Sequence, residues 1–220
     1  MGLLVNIFDS IRIHPTCDTL SGSFRDRLKE AMQNSNPISI MDLDLEGKKI
    51  AILGPQESGK TELWCALQNK PRTSIVTTSN EPIEKFCLGS KSDGTKVYVE
   101  KTQDIGGSDK YASLYDRLVT EGTFVCFVLD ITKIECADYR QQPLVQFLKI
   151  REKCSGYIIL ATHIDKYRGD RSQGLKVVRD YFAPLEAYGI DRTTLNVKLV
   201  NLKNANDIQE IRKEVLMSLN

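Results

Sequence analysis

Apolar residues recur along this chain with two different periods, and the period changes where one element gives way to the next. Near the start, Leu3, Leu4, Ile7, Phe8 and Ile11 fall at helical spacing, with Asn6, Asp9, Ser10 and Arg12 between them. That spacing predicts a short amphipathic helix. His14-Pro15 ends it, because the residue before a proline is pushed out of the helical region. A second helix is predicted from about Ser23, an N-cap, with Phe24, Leu28 and Met32 on one face. Asn36-Pro37 breaks it.

From Ile38 onward strands and helices alternate. Lys49–Leu53 is an apolar strand, followed by a glycine-rich loop and a helix from Lys60. Lys96–Gln103 opens with Val97 and Val99 alternating against Tyr98 and Glu100, which predicts another strand. Thr123–Asp130 and Gly156–Thr162 are apolar runs of the kind buried on both faces of a sheet. A helix begins near Pro143, a residue suited to the first turn. Leu175, Val178, Phe182 and Leu185 predict a further helix that Pro184 distorts or ends. Asn196–Asn201 is the last strand, and Ile208, Ile211, Val215 and Leu219 stripe the closing helix. The alternation predicts an α/β fold: an open, mostly parallel sheet with helices on both faces. The expected organisation is an N-terminal helical extension over residues 1–37 and one α/β domain over 38–220.

Composition narrows the field without naming a function. The 220 residues carry a formal charge of +1, which lacks the concentrated basic excess of a nucleic-acid binder. Six cysteines are scattered without a CxxC pair, and several fall in apolar runs, so they read as small buried hydrophobes in a reducing compartment. No stretch approaches the roughly 20 apolar residues of a membrane span, and the N-terminus lacks the basic flank of a secretory signal. A cytoplasmic protein is expected.

The chemistry is concentrated in Gly54-Pro55-Gln56-Glu57-Ser58-Gly59-Lys60-Thr61, which fits G-x-x-x-x-G-K-[ST] between an apolar strand and a helix. Gly54 and Gly59 let the backbone curl so that amides face phosphate oxygens, and the helix N-terminus adds partial positive charge. The phosphate-binding set is Gly54, Glu57, Ser58, Gly59, Lys60, Thr61 and Glu62. Lys60 reaches the β- and γ-phosphates and Thr61 offers its hydroxyl to Mg²⁺. Glu57 is expected to turn its carboxylate outward and leave only its amide in the loop. The ligand this predicts is a purine nucleoside triphosphate with Mg²⁺.

Two later segments extend the pattern. Asp104-Ile105-Gly106-Gly107 follows the Lys96–Gln103 strand. An aspartate there can hold Mg²⁺, and Gly107 can offer its amide to a γ-phosphate. The strand Gly156–Ala161 runs into Thr162-His163-Ile164-Asp165. A carboxylate at that point can accept from guanine N1–H and the exocyclic amine, and adenine lacks that donor pair. After the last strand, the amides of Leu202 and Lys203 can meet the guanine carbonyl. A small-metabolite kinase is the competing enzyme class. It would need an arginine-rich lid, for which Arg168 and Arg171 are the sole material.

These segments together resemble the small Ras-superfamily GTPases, nearest the ADP-ribosylation-factor-like branch. The likeness rests on the phosphate loop, on Asp104-Ile105-Gly106-Gly107-Ser108-Asp109-Lys110 and on the base motif ending in Asp165. It covers roughly residues 46–220, and Met1-Gly2 also matches the start of that branch's N-terminal helix. Residues 13–45 stand outside it. The resemblance implies a P-loop three-layer sandwich with a six-stranded, mostly parallel sheet and one antiparallel edge strand. It implies GTP/GDP and Mg²⁺ as ligands, with Thr61, Asp104 and a first-switch threonine on the metal. Thr77 and Thr78 are adjacent there, and alignment favours Thr78. It also implies effectors bound through switch segments at about 71–84 and 104–117, together with an exchange factor and an activating protein. Membrane contact through residues 1–12 stands beside simple docking of that helix on the domain. Asn6, where acylation prefers Ser or Thr, argues against acylation of Gly2.

The chain departs from the family at informative places. Ser108 replaces the water-orienting glutamine, and a serine is too short to do that job in the same way. Thr162 and His163 replace Asn and Lys of the base motif; His163 either stacks on the base or is an ordinary surface or core histidine. Asn201-Leu202-Lys203 replaces Ser-Ala-Lys. Lys60 and the loop amides remain. The expectation is therefore a GTP-binding switch with slow or partner-dependent hydrolysis. The alternative is a nucleotide-locked scaffold.

Overall fold

The structure is a computed structural model that describes residues 47–71, 80–108, 111–136, 139 and 142–219. The chain divides into two units, Met1–Leu45 and Glu46–Asn220. The predicted N-terminal helices, Thr77, Thr78, Asp109 and Lys110 lie outside the described residues, as does most of the first switch segment.

The framework is a four-stranded parallel sheet in the order β1 (Ile50–Leu53), β6 (Phe124–Asp130), β7 (Gly156–Thr162) and β8 (Val197–Leu199). Every residue of β1 and β6 is buried. This is why their sequences are continuous apolar runs rather than alternating ones. Side chains of β6 leave on opposite faces with the two-residue period of a strand. Val125, Phe127 and Leu129 enter one core, and Phe124, Cys126 and Val128 enter the other. The first core is knitted by rings around Phe147, which meets Phe127, Tyr157 and Phe182 at centroid distances of 5.2, 5.1 and 5.1 Å. The second holds Trp64, only 1% exposed, edge-on to Phe86.

Helices cover both faces. They are α1 (Lys60–Leu67), α2 (Ala112–Leu118), α3 (Gln142–Arg151), α4 (Arg171–Tyr181) and α5 (Ala205–Ser218). Helix α4 starts at a reciprocal capping box between Asp170 and Gln173. That arrangement satisfies two backbone donors that would otherwise lack partners. The predicted helix through Leu185 divides: α4 stops at Tyr181, and a 3₁₀ segment, Ala183–Tyr188, takes over with Pro184 in its first turn. A proline fits the start of a helical segment but removes a donor inside one.

The expected open, mostly parallel α/β sheet is present, with a difference in strand count from the six expected. Among the described residues the sheet has four strands, accompanied by two antiparallel pairs: β2 (Glu81–Ile83) with β5 (Thr102–Asp104), and β3 (Phe86–Ser90) with β4 (Lys96–Val99). The predicted strand Lys96–Gln103 is likewise two strands with Glu100 and Lys101 between them. The cause is a change of partner. Lys48 donates to the Tyr98 carbonyl at 2.7 Å and accepts from the Glu100 amide at 3.1 Å, which ties the β3–β4 hairpin to the lead of β1. The chain then turns to pair with β2.

At the other side, β8 is the outermost strand of the sheet among the described residues. A groove lined by Leu175, Val197, Leu199 and Ile211 runs between it and helices α4 and α5. The Arg171 guanidinium spans this edge, donating to the Leu199 carbonyl at 3.1 Å and to Asp207 at 2.8 Å. Arg171 is therefore committed to the sheet edge, which removes half the material for a kinase-type lid.

Candidate functional site

Strands β1, β6 and β7 run parallel, so their carboxyl ends gather at one rim, and the loops there carry the residues singled out above. The phosphate loop leaves β1 at Gly54, whose φ is +144°. A Cβ on Gly54 would stand 2.1 Å from the Val128 carbonyl oxygen. The loop can thus press against β6 only with glycine in place. The Tyr115 hydroxyl of α2 donates to the Gly54 carbonyl at 3.1 Å and fixes the loop's first turn. Glu57 has φ +59° and points out, as expected, where it meets Lys133 in an exposed ion pair at 2.6 Å.

Inside the loop, Lys60 is only 5% exposed and donates to the Pro55 carbonyl at 2.7 Å. Burial lowers its ammonium pKa to about 8, opposed by the charges of Asp104 and Glu62. A buried cation whose main neutral acceptor is one carbonyl is suited to receiving an anion. Thr61 donates its hydroxyl to Asp104 Oδ2 at 2.7 Å, so two of the three expected metal ligands are in contact. Asp104 is 2% exposed, and burial holds its carboxyl above the usual range. Its Oδ1 and the Ser58 hydroxyl are buried without a hydrogen-bond partner among the described residues. An unpartnered carboxylate oxygen and hydroxyl beside a buried ammonium fit a cation and phosphate oxygens, because buried polar atoms are otherwise nearly always paired.

Gly107 lies directly on the loop. A Cβ there would come within 2.2 Å of the Pro55 carbonyl carbon and 2.3 Å of the Gln56 nitrogen. Only a glycine allows the turn after β5 to touch the phosphate loop backbone. Ser108 follows it, with its hydroxyl buried and unpartnered among the described residues.

The segment predicted to read the base sits on the neighbouring strand ends. Thr162 Oγ1 lies 2.8 Å from the Ser58 carbonyl and 3.0 Å from that of Leu129, so it joins β6, β7 and the phosphate loop. A hydroxyl suffices for this link. His163 takes a left-handed conformation, φ +58°, with Nδ1 2.9 Å from Thr162 Oγ1. Asp165 is exposed and accepts from Lys203 at 2.9 Å, and that hydrogen bond holds its carboxyl below the usual range. Leu202 packs towards Gly59, with Cδ1 3.2 Å from where a Cβ would stand. The predicted residues from Gly54 to Lys203 thus form two adjoining groups at one rim. Thr78 lies outside the described residues.

Three contributors escaped the sequence reading. Tyr115 and Lys133 carry no motif. Asp130, which ends β6, was recognised only as the end of a strand, although a carboxylate closing an apolar run is itself a signal.

No protein-family model matches this chain, and no curated protein matches its sequence. Among solved structures, it is similar to Roco2 RocCORdC of Methanosarcina barkeri bound to GDP, with a TM-score of 0.52 and 18% identity. The match covers 80% of this chain and 52% of that one, so the chain spans about half of the Roco protein's length. The likeness establishes the fold class. This chain shares that structure's fold class: an α/β architecture whose central sheet, four parallel strands among the described residues, carries helices on both faces.

Proposed function

We propose that this protein is a GTP-binding switch of the small-GTPase type, nearest the ADP-ribosylation-factor-like branch, with Mg²⁺ as cofactor and slow or partner-dependent hydrolysis. The observation that carries this reading is the meeting, at one rim of a parallel sheet, of a buried Lys60, a Thr61–Asp104 pair and the Asp165–Lys203 pair. Ligands of open α/β sheets bind at that rim. Lys60 and the amides of the loop would bind the phosphates. Thr61 and Asp104, with Thr78, would hold Mg²⁺, whose chemistry there is to neutralise charge on the terminal phosphates. Asp165 would accept from the guanine N1–H and amine, beside Thr162, His163, Leu202 and Lys203. Support for guanine also comes from the GDP-bound Roco neighbour.

Ser108 stands where the family positions water, and its short hydroxyl motivates the expectation of weak intrinsic turnover. In this chemistry the protein mainly positions groups and stabilises charge, and an arginine supplied by a partner can add about 10³–10⁵ in rate. Effectors would meet the segments at 71–84 and 104–117, with an exchange factor and an activating protein as regulators. Residues 1–12 would supply peripheral membrane contact to a cytoplasmic protein. No nucleic-acid partner is proposed, given the net charge of +1. Among the described residues no helix is long and apolar enough to cross a membrane.

The test is mass analysis of the nucleotide that co-purifies, followed by single-turnover phosphate release. Bound GTP with release far slower than one per second supports the proposal. Bound GDP with rapid release overturns the slow-hydrolysis part, and adenine nucleotide overturns the assignment of Asp165. Ser108 also favours a second reading, a nucleotide-locked scaffold. Saturating ligand at about 1,000 times its dissociation constant stabilises a fold by roughly 4 kcal/mol. Partner binding that does not respond to GTP versus GDP would favour the scaffold.

A further inference from the structure

Asp130 is a buried carboxylate, 4% exposed, that stands at the rim but has no role in the proposed function as described so far. It lies at the carboxyl end of β6, against the base-reading segment. Its Oδ1 is saturated, accepting from the Thr132 amide at 2.9 Å and from the Thr132 hydroxyl at 2.7 Å. Its Oδ2 lies 3.4 Å from His163 Nδ1. Burying a carboxylate is costly unless it is paired, so this placement calls for a role.

The hydrogen bonds fix the state of the histidine. The Thr162 hydroxyl has one proton and two carbonyl acceptors within reach, those of Ser58 and Leu129. Carbonyls cannot donate, so the proton of Thr162 goes to one of them. Towards His163 the hydroxyl can then only accept. Asp130 Oδ2 also accepts. His163 Nδ1 therefore carries a hydrogen, which it donates to Thr162 Oγ1 at 2.9 Å, and the Asp130 carboxylate stands beside that N–H at 3.4 Å. In the neutral ring Nε2 is left bare, as an acceptor.

We propose that Asp130 is a positioning residue for the base site: with Thr162 it holds the His163 ring in one orientation and tautomer, so that Nε2 and the ring face are what the nucleoside meets. This rests on the reading of the rim as a guanine-nucleotide site and deepens it. A bare Nε2 accepts from a donor of the nucleoside, either a ribose hydroxyl or the base amine. The arrangement replaces the flexible lysine of the related motif with a ring held by a buried anion. His163 is partly exposed, with 23% of its side chain accessible, so the ring can be reached from the rim.

Two substitutions of the same residue separate the roles. In His163→Asn the side-chain amide can occupy the place of Nδ1–H, and asparagine tolerates φ +58°. It keeps the tether and loses Nε2 and the ring. In His163→Gln the amide reaches the place of Nε2 and loses the tether. The readout is the dissociation rate of a fluorescent guanosine diphosphate from the full chain, with nucleotide-free melting as the control. His163→Asn is expected to melt like the parent and to release nucleotide about tenfold faster. Asp130→Asn is expected to speed release by about threefold to fivefold in the parent and to have no further effect in His163→Asn. Unchanged release from His163→Asn overturns the proposal, as does an Asp130→Asn effect that simply adds. If the unmodified chain fails to bind guanosine diphosphate, the nucleotide-site reading falls and takes this inference with it. Binding by the unmodified chain with a flat response to these variants removes the inference alone.

Discussion

The two halves of the proposed nucleotide site are built in opposite ways. The phosphate half is interior: Ser58, Lys60 and Asp104 are 0%, 5% and 2% exposed, and glycine backbones touch backbone at Gly54 and Gly107. The base half is at the surface, where the Asp165 and Lys203 side chains are 26% and 53% exposed and answer mainly to each other. Substitutions in the first half should act on both folding and binding. Those in the second should act on recognition with little effect on the fold.

The sharpest way to break the phosphate half is Gly54→Ala. With φ at +144° and a Cβ 2.1 Å from the Val128 oxygen, the variant must move loop or strand. It is expected to lose about 4 kcal/mol or more of unfolding free energy, measured in urea, a size reserved for strained or clashing backbone.

Lys60→Met comes next and is expected to weaken GTP binding by about a hundredfold in titration calorimetry, through loss of a charge-assisted phosphate contact. The same variant tests electrostatics without ligand. Burial lowers the folded-state pKa of Lys60 from 10.5 to about 8, so between those values unfolding takes up a proton. Stability therefore rises with pH across that window, and below it the cost of the buried charge is present in full. Between pH 8 and pH 10 the ligand-free parent should gain roughly 2 kcal/mol relative to Lys60→Met. An identical pH response in both proteins would contradict the burial of this charge.

In the base half, Asp165→Asn is expected to weaken GTP binding about tenfold while shifting unfolding by less than about 0.5 kcal/mol. A large loss of stability would erase the contrast between the halves. The smallest effect is expected at the rim between them. Lys133→Ala removes the exposed ion pair with Glu57 and should leave the melting temperature unchanged.

The contrast also explains what could be read from the sequence. The strand, glycine turn and helix around Gly54–Thr61 were legible because glycines at fixed spacing between an apolar strand and a helix mark such a turn. Strand β7 was legible to its ends, because a strand buried on both faces writes itself as an apolar run. Contacts that join distant segments were not, since nothing local announces them. Thr162 reaches Ser58 across 104 positions, and Tyr115 reaches Gly54 across 61. Helix α2 was absorbed into the second switch segment: it has seven residues and no side-chain cap to mark its start. The break between β4 and β5 depends on Lys48, a lysine in an unremarkable stretch that forms two backbone bonds.

The bracket of Arg171 and Asp207 over β8 has a consequence for how copies of this chain meet. An outer strand is a template on which another chain can add a strand of its own. Here a guanidinium already occupies the Leu199 carbonyl, and Asp207 both anchors that guanidinium and takes the Asn201 amide. A newcomer would have to dislodge a charged pair before it could begin to hydrogen-bond. The same two side chains that finish the sheet also discourage its growth from one molecule into the next.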